Sequence, residues 1–141
     1  MSLQQEMPDF LPDVGEAGTL NVPGIAGLHA GLCYLQRVGI DTIHRRECRE
    51  AARCAAGLQA LGYRVFAGPH QTGTVSFVPP MDCEELAQQL AGKGIAVRAG
   101  LHCAPLAHES AGTLETGTVR VSYGLHACPA QTAALLQALK L

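Results

Sequence analysis

What this chain of 141 residues lacks narrows its class before any motif is read. No apolar stretch approaches the roughly 20 residues that a helix needs to cross a bilayer. The opening Met1-Ser2-Leu3-Gln4-Gln5-Glu6 has neither the basic nor the apolar region of a secretory signal. Basic runs are also missing, and with a formal net charge of -2 this argues against nucleic acid as the main partner. No two of the six cysteines have Cys-x-x-Cys spacing, which removes the usual structural zinc finger. Internal repeats and low-complexity tracts are absent. The expected location is therefore the cytoplasm, with thiols rather than a disulfide framework. Cys33, Cys48 and Cys54 fall within helical patterns, where a thiol serves as a small hydrophobe.

What is present fits one α+β domain preceded by an arm. Pro8, Pro12, Gly15, Gly18 and Pro23 punctuate residues 1–22 too often for a regular element, so this stretch is expected to be extended. Within it, Gly18 and Thr19 offer a backbone donor and a hydroxyl that would suit an anion such as phosphate, or simply form a turn. From Pro23, Ile25, Leu28, Leu32, Leu35 and Val38 recur at helical spacing until Gly39. Asp41 is expected to cap a second helix that ends at Gly62. Its Arg45, Arg46, Arg49 and Arg53 read as a solvated face. The period then changes to that of half-buried strands at residues 63–66 and 74–78. Asp82 and Glu85 have capping-box spacing and begin a short helix ending near Gly92 or Gly94. Residues 95–98 and 118–123 read as a third and fourth strand, and Pro129 opens a last helix with Ala133, Leu136 and Leu139 apolar and Leu135 at its edge. Strands this closely spaced mostly pair antiparallel. The expected fold is a small sheet of three to four strands with helices packed on one face, spanning residues 23–141.

The chemistry concentrates at Val97-Arg98-Ala99-Gly100-Leu101-His102-Cys103-Ala104-Pro105. A thiol on a loop at a strand end is placed to be exposed and to react. If the third and fourth strands pair, Arg98 and Arg120 would frame a small anionic site beside Cys103. Arginine forks suit a carboxylate, and their charge favours the thiolate. His102 could act as a base toward Cys103, although neighbours in an extended segment point to opposite sides. A zinc site drawn from His102, Cys103, His108, His126 and Cys128 is too irregular in spacing to be expected.

The string from Arg98 to His108, followed by Gly117-Thr118-Val119-Arg120-Val121-Ser122-Tyr123-Gly124, resembles the C-terminal region of cysteine desulfurases. These are class V enzymes of the aminotransferase fold, related to selenocysteine lyases, that use pyridoxal 5'-phosphate (PLP). Glu16-Ala17-Gly18-Thr19-Leu20-Asn21-Val22-Pro23-Gly24-Ile25 resembles the segment that follows their cofactor lysine. The resemblance runs from about residue 9 to the C-terminus. It implies Cys103 as the nucleophile that takes sulfur from free cysteine, and Arg120 as the anchor of the substrate carboxylate. Arg98 and His102 would line the same pocket, and Thr19 with Gly18 would reach the PLP phosphate of another subunit. It leaves room for a sulfur-acceptor protein as partner, and the apolar surface that a large domain would cover on the Pro23 helix and the arm leads to the expectation of a homo-oligomer.

The departures from that family pattern concern the cofactor. Only Lys93 and Lys140 are present, and neither stands in the Ser/Gly-x-His-Lys setting of a Schiff-base lysine. The family's large PLP domain would need about 200 or more residues upstream. The chain as given is thus expected to hold no PLP covalently and to be inactive alone. Parent enzymes of a different kind, a class V aminotransferase or a selenocysteine lyase, or a sulfur-carrier or interaction module, fit the same stretch. In Leu125-His126-Ala127-Cys128, relatives tend to carry an aromatic-Asn-Thr, and Cys128 is the poorer helix cap.

Overall fold

In a computed structural model, which describes residues 9–15 and 18–140, the contacts divide the chain into two compact units, Met1–Gly39 and Ile40–Leu141. The first holds a 3-10 turn, Asp13–Gly15, and helix α1, Val22–Val38. Residues 1–8, Glu16 and Ala17, which belong to the expected arm and to the motif around Thr19, lie outside the described residues. Helix α1 begins one residue before the expected Pro23, because the Asn21 side chain accepts the Gly24 N–H at 3.0 Å and caps it. Gly39, at φ +86°, ends it as expected.

The second unit runs α2 (Ile40–Ala60), β1 (Arg64–Phe66), β2 (Thr74–Val78), α3 (Cys83–Gly92), β3 (Arg98–Gly100), α4 (Pro105–Ala111), β4 (Thr118–Ser122) and α5 (Pro129–Ala138). The strands form one antiparallel sheet in the order β1-β2-β4-β3, so the α+β expectation holds. Alternation assigns its two faces. Val75 and Phe77 of β2 and Val119 and Val121 of β4 point into the core. There they meet Ala51, Cys54 and Leu58, one helical stripe of α2, with Leu86 and Leu90 of α3 and Leu135 of α5. Gly57 lets α2 and α5 approach, since a β-carbon there would lie 2.3 Å from a methyl of Leu136.

Several local expectations shift. Asp41 lies inside the first turn of α2 rather than capping it. Arg46 donates to the Leu125 carbonyl at 2.9 Å, and Arg53 lies 3.5 Å from the buried Glu50 carboxylate, so the arginine face of α2 is partly engaged within the fold. Thr132 donates to Glu50 at 3.0 Å. Of the three helical cysteines, Cys54 is fully buried, whereas Cys33 and Cys48 are only half-buried. In α5 the buried residues are Thr132 and Leu135, and Ala133 is exposed, because the helix sets Thr132 on Glu50 and Leu136 at Gly57 of α2 while Leu135 joins the core cluster. Asp82 caps α3 by accepting from the Glu84 and Glu85 amides, while Glu85 accepts from Gln89 rather than closing a capping box.

The shifts that matter for function lie at β3. Residues 95–97 are not strand; Arg98 opens β3 instead of closing it, and β3 runs on to Gly100. Helix α4, which the apolar pattern did not announce, follows directly. Pro105 stands in its first turn and Gly112, at φ +65°, ends it. It sits by the sheet face opposite the core helices: Arg64 of β1 donates to the Ala111 carbonyl at 2.7 Å.

Among the described residues no helix is long and apolar enough to cross a membrane. The base of β3 and β4 is set by two glycines in close approach. A β-carbon on Gly117 (φ +62°) would lie 3.0 Å from Cys83 Sγ and 3.2 Å from Gly100 Cα. Gly117→Ala is therefore expected to cost about 1–3 kcal/mol in urea unfolding, from strain and overpacking together. Gly92→Ala, helical and with nothing within 4 Å of the added carbon, is the comparison and should be neutral or slightly stabilising.

Candidate active site

The register of the sheet builds the site. Arg98 of β3 is the cross-strand partner of Arg120 of β4, and Arg120 is in turn the partner of Ser76 and Ser76 of Phe66. Phe66, Ser76, Arg120 and Arg98 thus form one row across the sheet, on the face away from the core helices. Like charges directly opposite on neighbouring strands destabilise a sheet. Among the described residues the only carboxylate ion pair is Arg53 with Glu50, so neither arginine of the row is compensated by an acid. Arg120 Nε is buried without a hydrogen-bond partner. This is a cationic pair arranged for an anion from outside the domain.

Cys103 completes the cluster. Beyond β3 the chain reverses through Leu101–Ala104, where the Ala104 N–H donates to the Leu101 carbonyl at 2.9 Å. The two central residues, His102 at φ +51° and Cys103 at φ +60°, both lie in the left-handed region, which makes this a type I' turn. That turn ordinarily carries Asn-Gly or another glycine pair. Placing two side-chain-bearing residues there costs roughly 1–2 kcal/mol each, and backbone strain of this kind gathers at functional sites. Cys103 is exposed, and Arg98 Nη2 lies 4.0 Å from its Sγ.

His102 is turned the other way. Its Nε2 lies 3.1 Å from Thr118 Oγ1 at the start of β4, and its ring centroid is 5.8 Å from that of the buried His108. His102, His108, Thr118, Ser76 and Arg120 line a hollow of about 400 Å³ beside α4. The expectation that His102 and Cys103 point apart holds, though the reason is the turn and not an extended backbone. Thr118 and Ser76 carry no signal in the sequence as site residues, and His108 enters there only in a zinc set whose spacing is too irregular to be expected. The alternation of residues 118–123 would have placed Thr118 and Arg120 on one face, but only the register adds Ser76, and only α4 brings His108.

Gly18 and Thr19 belong to the other unit. Both are exposed, in the turn that precedes the Asn21 cap of α1, with Gly18 at φ +89°.

A family model described as aminotransferase class-V matches residues 1–135. The chain belongs to the class-V aminotransferase family. A probable cysteine desulfurase of Pyrococcus abyssi is 37% identical over 121 residues, covering 82% of this chain and 29% of that protein. A probable cysteine desulfurase of Xylella fastidiosa is 41% identical over 96 residues, 66% of this chain and 23% of the other. Among solved structures, an apo cysteine desulfurase from Thermococcus onnurineus NA1 superposes with a TM-score of 0.83 at 32% identity, covering 92% of this chain and 33% of that one. The chain thus spans between 23% and 33% of the length of these relatives.

The family is PLP-dependent, and the donor set can be tested against that cofactor. Lys93 donates its amine to the Ala138 carbonyl at 3.0 Å, and Lys140 lines a separate hollow with Pro79 and Pro80. No lysine stands in the hollow with Arg120, so the described residues do not offer the covalent anchor for PLP. They offer two arginines and an exposed thiol.

Burial, then the charges of Arg120 and His108, and finally that of Arg98, hold the His102 imidazole below its ordinary value of 6.5, against a smaller opposing effect of the Thr118 backbone. As pH falls, the unfolded chain takes up this proton before the folded one. The stability tied to neutral His102 is therefore complete above pH 6.5 and is lost as pH drops through the folded-state value. The fall in urea midpoint between pH 7.5 and 5.0 is expected to be smaller in His102→Gln than in the native chain.

Proposed function

We propose that this chain is the substrate-carboxylate and nucleophile domain of a PLP-dependent cysteine desulfurase. The observation that carries the reading is an exposed thiol, on a strained turn, beside two register-paired arginines that have no acidic partner among the described residues. In this reading the Arg120 fork binds the carboxylate of L-cysteine, and Arg98 adds charge beside Cys103. The Cys103 sulfur forms a bond to the sulfur of the substrate while the substrate carbon–sulfur bond breaks; the electron pair of that bond stays on the carbon, which takes the thiol proton. One protein thiol and one cysteine thus yield a protein persulfide and alanine, the carbon being reduced as the sulfur is oxidised. An exposed Cys103 leaves the outer sulfur open to an acceptor protein. Gly18 and Thr19 are the candidates for a phosphate group, by way of the Gly18 backbone and the Thr19 hydroxyl.

Two features support the wider setting. Six cysteines without a disulfide suit the reducing cytoplasm. Helix α1 carries Ile25, Leu28 and Leu32 exposed along one side, the kind of apolar surface that a homo-oligomer covers.

The test exchanges the C-terminal region of an active cysteine desulfurase for residues 9–141 of this chain and measures alanine released from L-cysteine. Cys103→Ser is expected to lower turnover by more than about a hundredfold. Arg120→Lys should raise KM roughly tenfold, as expected when a bidentate charge-assisted pair is lost. Undiminished alanine release in Cys103→Ser would remove the desulfurase reading, and retained cleavage of selenocysteine alone would favour a selenocysteine lyase.

A further inference from the structure

The type I' turn poses a question that its own sequence does not answer. Leu101-His102-Cys103-Ala104 has no glycine, asparagine or aspartate at either position that requires a positive φ. The turn hydrogen bond from Ala104 to Leu101 would form equally in the ordinary type I geometry, so it does not choose the hand. Cys103 does not choose it either, being exposed, with Arg98 at 4.0 Å as its one side-chain hydrogen-bond partner among the described residues. Of the two central residues, His102 is the one whose side chain is tied down. Its Nε2 meets Thr118 Oγ1 at 3.1 Å, and its ring lies against His108, itself fixed 2.8 Å from Thr113 Oγ1.

We propose that His102 is a positioning residue: its anchor on Thr118 holds the turn in the left-handed form and so presents Cys103 to Arg98. Thr118 and Arg120 are two residues apart on one face of β4, where they pair with Gly100 and Arg98 of β3. One strand therefore carries both the tether of the turn and the pair of arginines, which fixes the thiol relative to the guanidinium groups. A proton-transfer role fits this geometry less well. One ring nitrogen is spent on Thr118, and the other, Nδ1, is buried without a partner, whereas Cys103 faces solvent. That Cys103 accepts sulfur rests on the function proposed above; the clamp itself does not.

The test needs no turnover. Cys103 in the full chain is alkylated with iodoacetate, an anion, and with iodoacetamide, its neutral counterpart, and the modified Cys103 peptide is quantified by mass spectrometry. A thiol held beside a guanidinium favours the anion over the neutral reagent, relative to free cysteine, by about fivefold for one charge at roughly 4 Å in a water-like medium. Arg98→Ala sets the floor of this ratio. The native chain is expected to stand above that floor, with His102→Ala and Thr118→Val falling toward it. His102→Asn should stay near the native value, because asparagine tolerates the left-handed region and keeps a polar group toward Thr118. Cys54, fully buried, must remain unmodified and reports that each variant is folded. Should His102→Ala label Cys54, Thr118→Val decides in its place. A native ratio equal to that of Arg98→Ala, or a folded His102→Ala or Thr118→Val with the native ratio, overturns the proposal. If instead the ratios behave as expected and the exchanged enzyme is inactive, the clamp stands and the desulfurase reading fails.

Discussion

The pairing of β3 with β4, with Arg98 set against Arg120, is the constraint on which the rest of the site depends. Register in a sheet is coupled to face, so a slip of one residue would send one arginine into the core and Ala99 to the outside. The register is held from the core side, where Val119 is fully buried and pairs with both Phe77 and Ala99. At the far end Gly117 approaches Gly100 and Cys83 so closely that a β-carbon there would have to push its neighbours aside. Apolar packing on one face thus fixes a repulsive charge pair on the other, and the cost of that pair is tolerated because the core determines the register.

The second face owes its shape to α4. With the core helices on one side only, the row of Phe66, Ser76, Arg120 and Arg98 would lie open to water. Helix α4 and the turn before it close one flank, giving a hollow in which His102 is partly desolvated and Arg120 Nε is out of reach of water. A buried guanidinium nitrogen without a partner is costly to leave so, and a carboxylate is the ligand that offsets it best. Cys103 is placed oppositely: its thiol faces solvent and is open to reagents from outside.

Much of this was legible in the residues. Composition and period placed the five main helical and strand regions that flank the core, and the last strand was read nearly in full from strict alternation. Arg98 and Cys103 stand out because arginine, thiol, glycine and proline are crowded into one short stretch, and Arg120 because it lies on the strand expected to pair with the one that carries Arg98. The boundaries of β3 were less legible, since the apolar character of Ile95 and Val97 comes from packing against the core without strand pairing. Helix α4 was missed because Pro105-Leu106-Ala107-His108 has little amphipathic pattern in seven residues, and only its proline and the closing Gly112 mark it. Leu135 and Ala133 exchanged places because a short apolar helix leaves the choice of buried stripe to its neighbour, here α2.

What the sequence by itself determined is the set of groups: a loop thiol between two arginines, no lysine in a cofactor setting, and enough alternating apolar residues for a small antiparallel sheet. These follow from local chemistry and period. What only the tertiary structure decided is their mutual placement. That Arg98 opposes Arg120, that Ser76 joins them and that His102 turns inward to Thr118 depend on strand register and on the hand of one turn. Both are set by contacts between residues distant in the chain, which local propensity does not encode.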